Sequence, residues 1–116
     1  MYGVRSFIKD FKNVFYAIKK DKEEYLKKDP SIEFKWQLNF HAGFLSLKLY
    51  RWSHLFYKHN LKFIAFFIHF ISRTLFSVDI NPAAKIEPGV VIDHGIGTVI
   101  GSTVTIGSGT LIYHGV

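Results

Sequence analysis

Cysteine is absent from the chain. Its absence excludes a disulfide framework and a cysteine-ligated zinc site. Long apolar runs are missing too. The most apolar stretch, Phe63 to Ile71, is bounded by Lys62 and Arg73 and contains His69, well short of the roughly 20 residues that a bilayer span needs. The first residues, Met1-Tyr2-Gly3-Val4-Arg5, run into a charged amphipathic segment where a secretory signal would need an unbroken apolar core. A cytoplasmic protein without a membrane span is therefore expected. Acidic residues are scarce, 9 against 15 Lys and Arg, for a formal net charge of +6. The basic residues are concentrated before residue 74 and interspersed with acids and aromatics, the pattern of a solvated helical surface. No nucleic-acid-binding motif accompanies them, so no nucleic-acid partner is expected. At 116 residues the chain makes one compact domain at most, or a piece of a longer protein.

Proline is confined to residues 30, 82 and 88. Before the first of these, Phe7, Phe11, Val14, Phe15 and Ile18 recur at helical spacing with Lys9, Asp10, Lys12 and Asn13 between them, which predicts an amphipathic helix over residues 4–27. Asp29-Pro30-Ser31 ends it, because the residue before proline is pushed out of the helical region. A second helix is predicted over residues 36–59, with Phe40, Phe44, Leu47 and Arg51 on one side and Leu45, Leu49, Trp52 and Phe56 beside them. Apolar residues cover more than half its circumference, which implies burial against more than one neighbour. A third, over residues 61–76, is almost wholly apolar through its middle and is expected to lie against other helices or another subunit. His41, His54, His59 and His69 fall on these helices without metal-ligand spacing and read as packing or surface residues.

After Ser77 the composition changes to Gly, Val, Ile, Thr and Ser, and a period of six sets in. Ile80, Ile86 and Ile92 are followed, after one interruption, by Ile100, Ile106 and Ile112. Four places after each stands a compact or β-branched residue: Ala84, Val90, Ile96, Val104, Thr110 and Val116. Neither a strand nor a helix has that period alone; a hexapeptide solenoid does, each unit forming one flat side of a triangular parallel β-helix with its aliphatic residue turned inward. The expected fold class is α+β, a helical region over residues 1–77 followed by the first coils of a β-helix over 78–116. Little more than two coils are present, the pattern stops in mid-course, and no cap is evident for a stack that normally needs one. The interruption adds two residues within Asp93-His94-Gly95-Ile96-Gly97. Solenoids carry insertions as excursions on their outer face, where ligands bind, so His94 is the first functional candidate.

Two segments carry a family resemblance: Val78-Asp79-Ile80-Asn81-Pro82-Ala83-Ala84-Lys85-Ile86 and Ile92-Asp93-His94-Gly95-Ile96-Gly97-Thr98-Val99-Ile100-Gly101. Together with Asp29-Pro30, Gly43-Phe44 and Tyr50-Arg51-Trp52-Ser53-His54 upstream, they resemble serine O-acetyltransferase, over roughly residues 29–116. The resemblance implies a left-handed β-helix, transfer of acetyl from acetyl-CoA to the hydroxyl of L-serine on the route to cysteine, and trimers or pairs of trimers with sites between neighbouring β-helices. It implies His94 as the catalytic base, Asp79 as its supporting carboxylate, and Asp93 and Asp29 as the residues that hold the serine substrate. It implies no metal and no cofactor beyond acetyl-CoA as co-substrate, whose binding residues are not assigned. The chain departs from the family at Asn81, Glu87-Pro88 and Ser102, and it lacks the family's C-terminal half, where further carboxylate- and CoA-binding groups reside.

The chemistry suits the residues. An alcohol acetylated near neutral pH must lose its proton as it attacks the thioester, and imidazole is the side chain best poised to take it. A carboxylate beside the ring fixes its tautomer and stabilises the imidazolium. Asp79 and His94 are 15 residues apart, close to one coil of 18, so stacking is expected to bring them together. The same residues have plainer readings: Asp93 as the cap of a turn, Asp29 as the end of a helix, His94 as a surface histidine. Two other functions stay open at this point. One is acetylation of a sugar hydroxyl in a surface-polysaccharide pathway, against which Asp93 speaks because a carboxylate suits an ammonium better than a neutral sugar. The other is a non-enzymatic scaffold piece that associates through its aromatic helices.

Overall fold

The computed structural model describes residues 3–116; Met1 and Tyr2, with which the expected helical region begins, lie outside the described residues. Helix α1 spans Val4–Lys28 and stops where expected, with Asp29 already extended ahead of Pro30 (φ −100°, ψ 103°). The second helical stretch is divided. A short 3₁₀ helix covers Lys35–Phe40, His41 is extended, and helix α2 runs Ala42–Lys58. The single helix expected over 36–59 gives way because His41 serves as an N-cap, its side chain accepting the amide of Phe44. Helix α3 spans Lys62–Phe76 and ends on Ser77 in the left-handed conformation (φ 56°).

Six two-residue strands follow: β1 Asp79–Ile80, β2 Lys85–Ile86, β3 Val91–Ile92, β4 Val99–Ile100, β5 Thr105–Ile106 and β6 Leu111–Ile112. They pair in parallel as β1 with β4, β2 with β5 and β3 with β6, giving three small sheets that are the three sides of a triangular β-helix. The register matches Asp79 with Val99, Lys85 with Thr105 and Val91 with Leu111. Each coil therefore advances 20 residues rather than the expected 18, since the two inserted residues are absorbed within the coil. Ile80, Ile86, Ile92, Ile100 and Ile106 are buried along the axis, as the six-residue beat predicts.

The first coil does have a cap, contrary to expectation, and the helices provide it. The Tyr25 hydroxyl donates to the Ile92 carbonyl (3.0 Å) and accepts the Ile92 amide (2.8 Å). Asp21 Oδ1 accepts the amides of Gly89 (2.9 Å) and Val90 (3.1 Å). The Tyr50 hydroxyl donates to Ala84 O and accepts the Ile86 amide, and Arg51 donates to the carbonyls of Ile86 and Glu87. These backbone groups form the edge of the first coil, where an uncovered solenoid would leave donors and acceptors unpaired. Arg51 is held in place by a bidentate pair with buried Asp21, both contacts 2.9 Å. No buried side-chain polar atom lacks a partner among the described residues.

The core is continuous across residue 77: Tyr25, Phe44, Leu47 and Tyr50 pack in one cluster with Val78, Ile80, Val90 and Ile92. Helix α3 leaves a broad apolar face exposed, with Phe63, Phe67, Phe70 and Leu75 all more than half accessible. Among the described residues, no helix is long and apolar enough to cross a membrane.

Candidate active site

The interruption in the hexapeptide pattern forms the corner between β3 and β4. Within five residues the chain takes three positive-φ conformations, at His94 (59°), Gly95 (84°) and Gly97 (83°). The corner is tied down by the Asp93 amide donating to Ile112 O (2.6 Å), the Gly97 amide to Ser77 O (2.9 Å) and the Thr98 amide to Gly95 O (2.9 Å). A histidine in the left-handed region is a strained choice where glycine would be easy, and such strain collects at functional sites. The outcome is a side chain 62% exposed and projecting from the coil.

Three of the four expected site residues come together here. Asp29, just beyond α1, is buried; its Oδ1 accepts the amide (3.0 Å) and hydroxyl (2.6 Å) of Ser31, and its Oδ2 meets His41 Nε2 at 3.2 Å. Ligand atoms of Asp29, His41 and Asp93 lie within 4.8 Å of one another. Asp93 Oδ1 in turn stands 3.6 Å from His94 Nε2. Burial pushes the Asp29 carboxyl upward, but the hydrogen bonds from Ser31 and His41 outweigh it and hold the group below its ordinary value. Two carboxylates from residues 64 positions apart in sequence thus converge beside an exposed imidazole.

Asp79 is not in that group. Its Oδ1 is 2.7 Å from His69 Nε2 on α3, and its Oδ2 is 3.9 Å from Arg73 Nη1. Among the described residues no ion pair links Asp79 to His94, although the corner that carries His94 lies against the segment leading into Asp79, the Gly97 amide donating to Ser77 O at 2.9 Å. Asp79 sits beside Val99 in β4, and His94 occupies the corner that precedes that strand. The ring that meets His94 is that of His114, one coil of 20 residues later, in an edge-to-face contact with centroids 5.9 Å apart.

Sequence reasoning passed over two participants. His69 gave no signal beyond lying one helix before Asp79. His41 stood directly ahead of Gly43-Phe44, where a side-chain acceptor three residues before an amide caps a helix, and that position was the available hint. His41 and the two carboxylates have the residue types of a metal site, yet the ring as bonded here is not a metal ligand. Its Nδ1 lone pair takes the Phe44 amide at 3.1 Å, so Nε2 carries the proton and faces Asp29.

No family model matches the chain. It is 41% identical over 95 residues to a serine acetyltransferase of Helicobacter pylori, an alignment covering 81% of this chain and 56% of that protein. Among solved structures, a serine acetyltransferase in complex with CoA matches with a TM-score of 0.87 at 28% identity, over 96% of this chain and 48% of that one. The serine acetyltransferase of Neisseria gonorrhoeae in complex with serine matches with a TM-score of 0.84 at 28% identity, over 89% of this chain and 43% of that one. These neighbours are left-handed β-helix proteins, in keeping with the parallel β-helix read from the hexapeptide beat and with the hand that the family resemblance implies. The chain spans about half the length of the relatives named here.

Proposed function

The chain belongs to the serine acetyltransferase family, and on that premise we propose that the protein it forms part of transfers acetyl from acetyl-CoA to the hydroxyl of L-serine, the first step from serine toward cysteine. The convergence of Asp29 and Asp93 beside His94 carries the reading. Two carboxylates hold an ammonium by charge-assisted hydrogen bonds and offer little to a neutral sugar.

His94 then takes the serine hydroxyl proton as the oxygen attacks the thioester carbonyl. The tetrahedral intermediate collapses with cleavage of the C–S bond, and the imidazolium returns the proton to the departing CoA thiolate. Asp79 is assigned the support of the His94 ring on the family resemblance, with His69 Nε2 2.7 Å from its Oδ1 and Arg73 Nη1 3.9 Å from its Oδ2. No metal is required, since a general base and a thioester suffice for the step. The assembly we propose is a trimer or pair of trimers in the cytoplasm, with the exposed aromatic face of α3 available for packing between subunits.

The test is release of free CoA by the full-length protein with serine, homoserine and a panel of sugars as acceptors. Serine-dependent release is expected. Acetylation of a sugar without acetylation of serine would replace this reading with the polysaccharide one.

A further inference from the structure

From the position of one ring we infer that His41 is a positioning residue: it fixes the orientation of Asp29 Oδ2 and thereby sets the affinity of the two-carboxylate cluster for a bound cation. The inference rests on the acceptor reading above only for the identity of that cation, a substrate ammonium.

The ring is constrained on three sides. Its Nδ1 accepts the Phe44 amide at 3.1 Å, which leaves the proton on Nε2. The protonated Nε2 donates to Asp29 Oδ2 at 3.2 Å. The ring packs edge to face with Tyr25, with centroids 5.0 Å apart and planes at 76°, and Tyr25 is itself pinned to both backbone groups of Ile92. The His41 side chain is only 13% exposed. A single imidazole thus joins the start of α2, the segment after α1 and the strand that leads into Asp93.

The two Ser31 contacts secure Oδ1 of Asp29 alone. Oδ2 is the oxygen left to turn toward Asp93, and the Nε2 proton of His41 is what holds it there. The same proton stands in a cluster of two carboxylates that would otherwise repel one another across less than 5 Å. Because the ring is neutral, it moderates that repulsion without cancelling the negative charge that a cation needs.

Capping α2 is the purely structural role open to the same residue, and two substitutions separate the roles in the full-length protein. In His41→Asn the amide oxygen still reaches the Phe44 amide, since asparagine is a strong N-cap, but the side chain is too short to donate to Asp29. In His41→Gln the reach to Asp29 is kept and the cap is lost. For His41→Asn we expect a Tm lowered by loss of the Asp29 and Tyr25 contacts and a KM for serine raised about tenfold, the effect of losing a hydrogen bond to a charged group, with kcat and the KM for acetyl-CoA unaltered. For His41→Gln we expect a lowered Tm and a serine KM restored most of the way to that of the parent. A parental serine KM in His41→Asn overturns the inference, as does a rise in serine KM that follows loss of Tm in both variants. Ring ¹⁵N shifts of the substrate-free protein give an independent check: the Nε2–H tautomer is expected, and an Nδ1–H tautomer overturns the inference. A full-length protein that acetylates no serine sinks the acceptor reading alone, and the tautomer then decides the role of His41.

Discussion

Gly43 and Ile92 touch backbone to backbone: the α-carbon in the first turn of α2 lies so near the Ile92 carbonyl that a Cβ at position 43 would penetrate the oxygen. Gly95 completes the contact from the other side. A Cβ there would stand 3.0 Å from Gly43 Cα and 3.0 Å from Val78 Cγ2, on a backbone with φ of +84° that resists any other residue. The start of α2, the last residue of β3 and the His94 corner are therefore one packed unit.

Gly43→Ala should force α2 away from β3. We expect a loss of about 1–3 kcal/mol, the usual cost of overpacking a tight contact, read from urea denaturation. A raised KM for serine should accompany it, because Asp93 follows Ile92 directly and His41 precedes α2. A variant with the parental midpoint and parental KM would mean that α2 can withdraw freely.

Arg51→Met should be among the most damaging single changes outside the site. Arg51 and Asp21 are 6% and 1% exposed, and removing one partner strands the other, at a cost of about 3–5 kcal/mol. Asp21→Asn on top of Arg51→Met should add less than its separate effect, since it then removes a carboxylate that has already lost its partner instead of stranding Arg51. It should still cost something, because Asp21 also accepts two amides of the first coil. A double-variant cycle in urea measures the coupling, and strict additivity would refute it.

Stability should fall with acid in two windows. Burial lowers the His54 pKa below its ordinary value of 6.5, despite the 2.8 Å contact of Nδ1 with Pro82 O. The folded protein thus binds this proton less readily than the unfolded chain, so the contribution is whole above about pH 6.5 and is lost as pH falls toward the folded pKa. Asp29, also lowered, keeps its contribution above its ordinary value of 3.8 and loses it as pH falls through the folded pKa. His54→Asn, which can still donate to Pro82, should flatten the first window of a Tm-against-pH profile and leave the second. An unchanged profile would remove His54 as the titrating group.

His94 and Asp93 should fail in different kinetic terms. In the full-length protein His94→Ala should lower kcat by about 10²–10⁴, the range for loss of a general base. Asp93→Ala should raise the KM for serine with little change in that for acetyl-CoA, as removal of one charge-assisted hydrogen bond costs about 1.5–3 kcal/mol. Equal rises in both KM values would make Asp93 a turn-forming residue.

The sequence by itself determined the solenoid, the place of its interruption and the candidacy of His94. An aliphatic residue every sixth position is a local rule that any one coil must obey, so the beat from Ile80 to Ile112 could be read without knowing what packs on it. The ends of α1 and α3 were legible for the same reason, through Pro30 and the change in composition after Ser77. The split of the second helix at His41 was not, because a cap depends on the geometry of a single side chain and its amide. Nor was the side-chain cap on the first coil, built by Tyr25, Tyr50, Asp21 and Arg51 from helices 30 to 70 residues upstream of the strands they serve. Only the tertiary structure decided which carboxylates meet. Asp29 and Asp93 converge because α1 and β3 are joined through Tyr25, whereas Asp79 meets His69 because α3 packs beside the start of β1, a contact between elements that no local pattern announces.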